Sequence, residues 1–303
     1  MTDEPRPEGP FDERYRAFIE TLAGQRARLH RYCARMVGSV LDGEDVMQEV
    51  LFEAYRKLDR LDDGQALSSW LFRIAHNRCI DFIRKRTVRK AREAAAAEPD
   101  VAPAVAFHGH GISRALERLV LDLPPRERAC VLLKDVFDHS LEEISDLIGS
   151  SVGGVKAALH RGRAKLAALP DPVALPPVGR RGRDDLHALY VERFNRQDWD
   201  GVRELVSADA RLAITNLYAG RLIPGYYSRF EALPFPWRLA GGHLDSEPVL
   251  VLLGGLAADM APSVVVRFDV VDGRIDGIRH YTGCPWIFSA AQALSIDDAP
   301  TVH

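Results

Sequence analysis

The segment 140–169 constrains the fold most, because it holds two short helical patterns separated by one tight turn. Ser140 and Glu143 form a capping box that starts the first helix, and Gly149 ends it. Ser151 caps the second helix, which buries an apolar stripe along one side. The order helix, tight turn, helix predicts a helix-turn-helix, whose second helix can enter the major groove of DNA.

A basic face on the second helix carries the side chains that we expect to contact DNA. Such a face neutralises phosphates, and its members nearest the base edges read the sequence. A similar basic face also occurs on helices of a bundle, where the charged side chains are exposed to solvent and bind no partner. The candidate contacts are Lys156, Ala157, His160, Arg161, Arg163 and Lys165.

The chain divides into two halves of different composition. Residues 1–170 carry 27 Lys and Arg against 26 Asp and Glu, whereas residues 171–303 carry 13 Arg, no Lys and 17 acidic residues. An acidic start, together with the lack of an apolar run of about 18 residues, predicts a cytoplasmic protein that does not enter membranes. The four cysteines are scattered, so we expect reduced thiols and neither a metal nor a cofactor.

An acidic face marks the second of three helical patterns near the start of the chain. The first pattern covers 11–40, and a break at 41–43 separates it from the second, over 44–58. The face suits docking to a basic partner, and it equally suits plain exposure to solvent. Its members are Asp45, Gln48, Glu49 and Phe52.

The third helical pattern leads into the densest run of cations in the chain. It begins near Trp70, after a loop over 61–69, and continues to about residue 86. Trp70 belongs to the core or stacks on an unpaired base. The exposed side of the helix carries Arg73, Asn77 and Arg84.

These motifs resemble bacterial sigma factors of the extracytoplasmic-function group. The stretches GEDVMQEVLFEAYRKLDRLDD and SSWLFRIAHNRCIDFIRKR are similar to the second domain of that group, and residues 123–166 are similar to the fourth. The resemblance implies that the acidic face grips the clamp of core RNA polymerase. It also implies that the loop and third helix capture a flipped base and hold the separated strands of the minus-ten element of promoter DNA. The residues it assigns to that DNA are Gln65, Ser68, Trp70, Arg73, Asn77 and Arg84.

The recognition helix departs from the pattern of this group in its first turn. Gly154 stands where Thr or Ser is usual, and Gly153 precedes it. Each Gly destabilises a helix by about 0.8–1 kcal/mol relative to Ala. Because these positions normally meet base edges, we predict a modest intrinsic preference for the minus-thirty-five element.

The last segment changes from helical to strand-like periodicity. A proline-rich tether over 170–182 precedes two helices, after which strands are predicted over 209–218, 248–253, 262–271 and 274–281. Helices followed by a curved antiparallel sheet predict an α+β domain. The segment 183–290 is similar to SnoaL-like domains of the cone-shaped nuclear-transport-factor-two class.

Such cones enclose a pocket between sheet and helices. Enzymes of the class use an Asp and a His as acid and base, which would make Asp269 and His280 the pair. Inward Tyr, Trp and His side chains are more often plain core, so small-ligand sensing or protein contact is the favoured role. The candidate lining residues are Asn216, Tyr218, Tyr227, Trp237, Asp269, His280 and Trp286.

We therefore predict a multidomain protein with two all-α domains and a C-terminal α+β domain. The expected boundaries are 11–88 and 112–169 for the helical domains, with a linker over 89–111, the tether over 170–182 and the α+β domain over 183–303. The predicted function is that of an alternative sigma factor, not an enzyme, whose last domain contacts the two helical domains and regulates them. Two alternatives stay open: a ligand-binding or catalytic SnoaL-like domain on a DNA-binding adaptor, and a dimeric helix-turn-helix regulator.

Overall fold

The computed structural model divides the chain into two compact units, formed mainly by residues 1–173 and 174–303. Each unit is described by itself. The structure describes residues 10–58, 61, 67–96, 122–168, 181–245, 247–254 and 261–297. Gln65 and most of the predicted linker and tether lie outside these residues.

Three helices begin the first unit: α1 spans Pro10–Val37, α2 spans Val40–Lys57 and α3 spans Leu67–Ala96. The predicted break at 41–43 is wrong, because the chain turns earlier, at Gly38, whose φ is +88°. Ser39 then caps α2 by accepting a hydrogen bond from the backbone N–H of Asp42. Helix α3 also runs eight residues beyond position 88, into the predicted linker.

A second group of helices follows from Pro125. It comprises α4 (Pro125–Val131), a π-helix (Leu132–Val136), α5 (Leu141–Ile148) and α6 (Val152–Ala168). The predicted helix-turn-helix is confirmed as α5 and α6. Both hydrogen bonds of the Ser140–Glu143 capping box are present, and Gly149 is left-handed with φ +63°. The π-helix was not predicted from the sequence.

One continuous hydrophobic core holds both helical groups together. It runs from Phe18 on α1 through Phe72 on α3 to Leu159 on α6. The sequence predicted two separate helical domains joined by a linker. In the structure they share a core within a single unit, because apolar side chains at the junction cover one another.

The second unit is an α+β domain, as predicted. Helices α7 (Arg181–Asn195) and α8 (Trp199–Glu204) come first, and two short helices follow later, α9 (Ser228–Glu231) and α10 (Pro285–Ala290). The strands are β1 (Val206–Ile214), β2 (Tyr218–Arg221), β3 (Trp237–Leu244), β4 (Glu247–Gly254), β5 (Pro262–Val271), β6 (Arg274–Tyr281) and β7 (Leu294–Ile296). They form one sheet in the order β2-β1-β6-β5-β4-β3-β7.

The sheet is mixed and not purely antiparallel, which corrects the prediction. Strand β1 pairs with β6 in parallel, whereas the other pairs are antiparallel. The strand β3 was missed, because its WRLAGGHL sequence contains two glycines and little alternation. Helix α7 packs its aromatic side, with Tyr190 and Phe194, into the core on one face of the sheet.

Candidate nucleic-acid interface

The exposed side of α6 carries the predicted DNA contacts. Val155 and Leu159 are buried against the rest of the first unit, whereas Lys156, Ala157 and His160 are exposed. This division follows the helical period, because buried and exposed positions alternate over three to four residues. A shallow cavity of about 650 Å³ lies on this side, with Lys134, Lys156, His160 and Arg163 among its lining residues.

Acidic side chains of the preceding helices neutralise three of the predicted phosphate contacts. Arg161 Nε lies 2.9 Å from Glu127 Oε1, and Lys165 Nζ lies 2.8 Å from Glu127 Oε2. Arg163 donates to both carboxylate oxygens of Asp135. The hydrogen bonds from Lys165 and Arg161 lower the pKa of Glu127, so it stays ionised. The cationic face is therefore smaller than the sequence indicated.

Arg126 belongs to the same surface, although sequence reasoning missed it. Its guanidinium donates to Ser150 Oγ in the turn before α6. The sequence hinted at this contact only through Gly154, where the lack of a side chain leaves room for another group but does not identify that group. Exposed Arg126 thus reaches the first turn of the recognition helix from α4.

The exposed side of α3 holds a second set of predicted contacts. Asn77 and Arg84 are exposed and Arg73 is half-buried, as is Ser68. Trp70 is only 8% exposed and belongs to the core, so it offers no ring to an unpaired base. The assignment of Trp70 to DNA is therefore wrong, because a residue that stacks on a base must have an accessible ring.

The acidic face of α2 combines charge with an exposed aromatic ring. Glu49 is exposed and lies 3.7 Å from Arg78, and Phe52 has 65% of its surface accessible. Asp45 and Gln48 are half-buried, and Gln48 donates to the buried carboxylate of Glu44. Glu49 and Phe52 are consequently the members of this face that are most accessible to a partner.

The junction between the two helical groups is built around Phe137. Its ring centroid lies 5.8 Å from that of Tyr32 and 6.0 Å from that of Phe72, both in edge-on arrangements. Arg28 on α1 donates to the Phe137 carbonyl at 2.6 Å. The π-helix ends at this residue, since the Phe137 N–H bonds to the Leu132 carbonyl. This extra-wide turn carries Phe137 to the core of the first three helices.

A buried arginine adds polar contacts to the same junction. Arg128 on α4 donates to the carbonyl of Met36 on α1 and, at 3.1 Å, to that of Leu123. Burial lowers the pKa of Arg128 to about 10, so it remains charged at neutral pH. A buried charge needs such partners, and separation of the two groups would return it to water.

The C-terminal domain brings together only some of the predicted pocket residues. Tyr227 and Trp237 both pack on Phe194, at ring distances of 6.4 Å and 5.5 Å. His280 joins them through Phe230, at 6.2 Å. By contrast, Asn216 is exposed in a turn, Tyr218 bonds to the Arg221 carbonyl, and Trp286 is half-buried on α10.

Asp269 does not lie beside His280, which corrects the predicted acid–base pair. In the β5–β6 register His280 pairs with Val266, whose side chain lies in the core, whereas Asp269 pairs with Gly277. Side chains alternate between the faces of a sheet, so the two residues point to opposite faces. Asp269 instead forms an ion pair with Arg279 at 3.2 Å.

His280 is a buried neutral group in this domain. Its Nδ1 lies 2.7 Å from Thr282 Oγ1, and its Nε2 has no hydrogen-bond partner within the described residues. Burial lowers the pKa of His280 to about 3. Tyr227 is buried in the same aromatic core, and burial raises the pKa of its hydroxyl to about 12. His280 Nε2 is therefore a buried polar atom inside the domain that could accept or donate a hydrogen bond.

Among the residues that the structure describes, no helix is long and apolar enough to span a membrane. The described residues also contain no group of three or more His, Cys, Asp or Glu side chains arranged to hold a metal ion. All four cysteines are buried, and none of them forms a disulfide bond.

Comparison with known proteins gives matches to both helical groups. Residues 24–89 match the family model of Sigma-70 region 2, and residues 113–166 match that of Sigma-70 region 4. ECF RNA polymerase sigma factor SigW of Bacillus subtilis is 32% identical over 162 residues, which cover 50% of this chain and 87% of SigW. SigG of Mycobacterium tuberculosis is 31% identical over 229 residues, covering 66% of this chain and 62% of SigG.

A solved structure aligns with both units. The crystal structure of the Mycobacterium tuberculosis extracytoplasmic function sigma factor SigJ covers 90% of this chain and 98% of that chain. The alignment has 15% identity and a TM-score of 0.35.

Proposed function

The chain belongs to the extracytoplasmic-function RNA polymerase sigma factors, and from this membership we propose how its surfaces divide the work of initiation. The exposed face of α2 binds core RNA polymerase. The loop before α3, with the exposed side of α3, holds the melted minus-ten element, and α6 contacts the minus-thirty-five element. The observation that carries this proposal is the exposed pair Lys156 and His160 above the buried Val155 and Leu159.

We propose that the protein performs no bond chemistry and acts as a cytoplasmic initiation factor. Melting a base pair costs a few kcal/mol, and a pocket for the flipped base plus backbone contacts offset that cost. Arg84 and Asn77 are exposed where such backbone contacts would form. The separation of Asp269 from His280 supports the absence of acid–base catalysis in the C-terminal domain.

The closed first unit must open during this function. The minus-ten and minus-thirty-five elements lie about 25 base pairs apart, which is roughly 85 Å of B-DNA at about 3.4 Å per base pair. A folded body of about 150 residues has a radius of gyration near 15 Å, or a diameter of roughly 40 Å. The two DNA-binding surfaces therefore reach both elements only after the Phe137 junction separates.

We propose that the C-terminal domain inhibits this opening by contacting the helical groups, in place of a separate inhibitor protein. Support comes from covalent linkage, because a tether that spans the gap gives an effective concentration in the mM range. A coupling of about 1–3 kcal/mol, or about 5- to 150-fold, is typical of such regulation.

Transcription reconstituted with purified core polymerase tests both parts of the proposal. We expect the full chain to direct promoter-specific transcription, and a variant that ends at residue 169 to bind core about 5- to 150-fold more tightly and transcribe more. Failure of the full chain and of the shortened chain to direct initiation at any promoter would refute the sigma function. Equal core affinity and equal activity of the two would refute only the inhibitory role.

A second proposal is small-ligand binding by the C-terminal domain. It is supported by the buried Nε2 of His280, which has no hydrogen-bond partner among the described residues and lies beside the aromatic ring of Phe230. We expect a polycyclic ketone probe to raise the melting temperature of the full chain, and the His280→Ala variant to lose that rise. Asn216→Ala, which changes an exposed residue in a turn of the same domain, is the control and should keep the rise. An equal rise for wild type and His280→Ala would place the ligand elsewhere.

A further inference from the structure

Arg126 lies at the surface of α6, although it belongs to α4, and no ion pair within the described part of the chain accounts for its position there. Arg161, Lys165 and Arg163 each have an acidic partner on α4 or the π-helix. Arg126 has no acidic partner among the described residues, and its guanidinium instead donates to the Ser150 hydroxyl at 2.5 Å. An exposed arginine of this kind keeps most of its donors available.

Gly154 provides the space in which the Arg126 guanidinium lies. A Cβ at position 154 would come within 3.0 Å of an Arg126 terminal nitrogen and 2.6 Å of Ser150 Oγ. At Gly153, by contrast, an added Cβ would meet nothing within 4 Å. The two glycines therefore differ. One is open to solvent, and the other is covered by an arginine that comes from a different helix.

The electrostatic setting of Arg126 favours an anion beside it. The first turn of α6 contains no acidic residue, and its N-terminal N–H groups carry partial positive charge. A guanidinium placed there is repelled by the helix end unless a negative group lies between or above them. DNA phosphate is such a group, because the first helix of a helix-turn-helix crosses the DNA backbone and Arg126 reaches the turn that follows this helix, at Ser150.

We propose that Arg126 contacts a DNA phosphate at the minus-thirty-five element and thereby positions α6 in the groove. This inference rests on the proposed role of α6. Arg126 supplies from α4 the contact that the first turn of α6 lacks, and Ser150 holds the guanidinium in place. Because phosphate contacts carry no sequence information, the contact adds affinity without adding discrimination, which agrees with the modest preference predicted from the two glycines.

Holoenzyme assembled from the full chain and core polymerase provides the test, with promoter fragments bearing either the matched or a scrambled minus-thirty-five element. We expect Arg126→Ala to weaken binding about tenfold on both fragments. The slope of log affinity against log salt should become shallower by about 0.9, the value for one phosphate contact. Arg126→Lys should keep most of the slope, since lysine also binds phosphate as a point charge. Arg196→Ala, which removes the exposed arginine directly after α7, is the matched control and should behave as wild type.

Two results would overturn the inference. One is an unchanged salt slope for Arg126→Ala, and the other is a loss of affinity confined to the matched fragment, which would indicate base reading. Lys156→Ala, measured in parallel, separates this inference from the proposed function. If Lys156→Ala weakens binding and Arg126→Ala does not, only the role of Arg126 fails. If neither variant changes binding, the assignment of α6 to DNA fails as well.

Discussion

Reversing the charge of the acidic face on α2 is expected to abolish assembly with core RNA polymerase. In the double variant Asp45→Arg, Glu49→Arg, two acidic side chains that would meet a basic surface become cationic. Juxtaposed like charges cost several kcal/mol at an interface, so the affinity for core should fall by about 100-fold or more. Affinity measured by competition with labelled wild-type protein would show this loss.

The location of the two residues sets the controls for this experiment. Glu49 is exposed, so Glu49→Arg alone should lower core affinity without lowering the melting temperature. Asp45 is half-buried and takes part in further interactions, so the double variant needs a stability measurement beside the binding assay. Asp200→Arg with Asp209→Arg makes the same charge change on exposed residues of the C-terminal domain and should leave core affinity intact.

The same variants distinguish the sigma function from its alternatives. A dimeric helix-turn-helix regulator, or a ligand-binding domain on a DNA adaptor, has no use for the acidic face. Normal core binding by the double variant, with its fold intact, would contradict the proposed docking role of α2.

The second large effect is expected at the Phe137 junction. Phe137→Ala removes a ring that packs edge-on against both Tyr32 and Phe72. Phe→Ala changes in cores cost about 3–5 kcal/mol. Because Phe137 is exposed in the proposed open form, its removal destabilises mainly the closed form. The equilibrium should shift toward the open form by about two orders of magnitude, and apparent core affinity should rise with the open fraction.

Distance measurements between two dyes would follow this opening directly. Cysteines introduced at the exposed positions Asp81 on α3 and Ala167 on α6 can be labelled selectively, since the native thiols are buried. We expect Phe137→Ala to lengthen the distance between them. The control Val271→Ala, which removes an exposed apolar side chain of the second unit, should not. A lower melting temperature with an unchanged distance would mean that Phe137 only fills the core and does not hold the unit closed.

Local signals in the sequence determined much of the helical part. The Ser140–Glu143 capping box and Gly149 placed the turn of the helix-turn-helix correctly, because each is a contact between residues at most a few positions apart. The β5 and β6 bounds were also predicted correctly, since Asp272-Gly273 marks their turn and alternation is clear on either side. Such features need no knowledge of the rest of the fold.

Contacts between distant residues decided the rest. Glu127 and Asp135 neutralise cations about 30 residues away, and Arg126 fills the space at Gly154; no spacing in the sequence reports these pairs. The opposite orientation of Asp269 and His280 likewise depends on the β5–β6 register, which alternation alone did not reveal.

The motifs of the sequence therefore determined the family by their resemblance to it, and local periodicity and caps determined the order of the main helices and the face of α6 that meets water. Only the tertiary structure decided which cations of that face remain unpaired and that the two helical groups share one core. The physical reason is that ion pairing and apolar burial depend on distances between residues that are far apart in the sequence. Those distances are fixed only in the packed core, to which Phe137, Tyr32 and Phe72 belong.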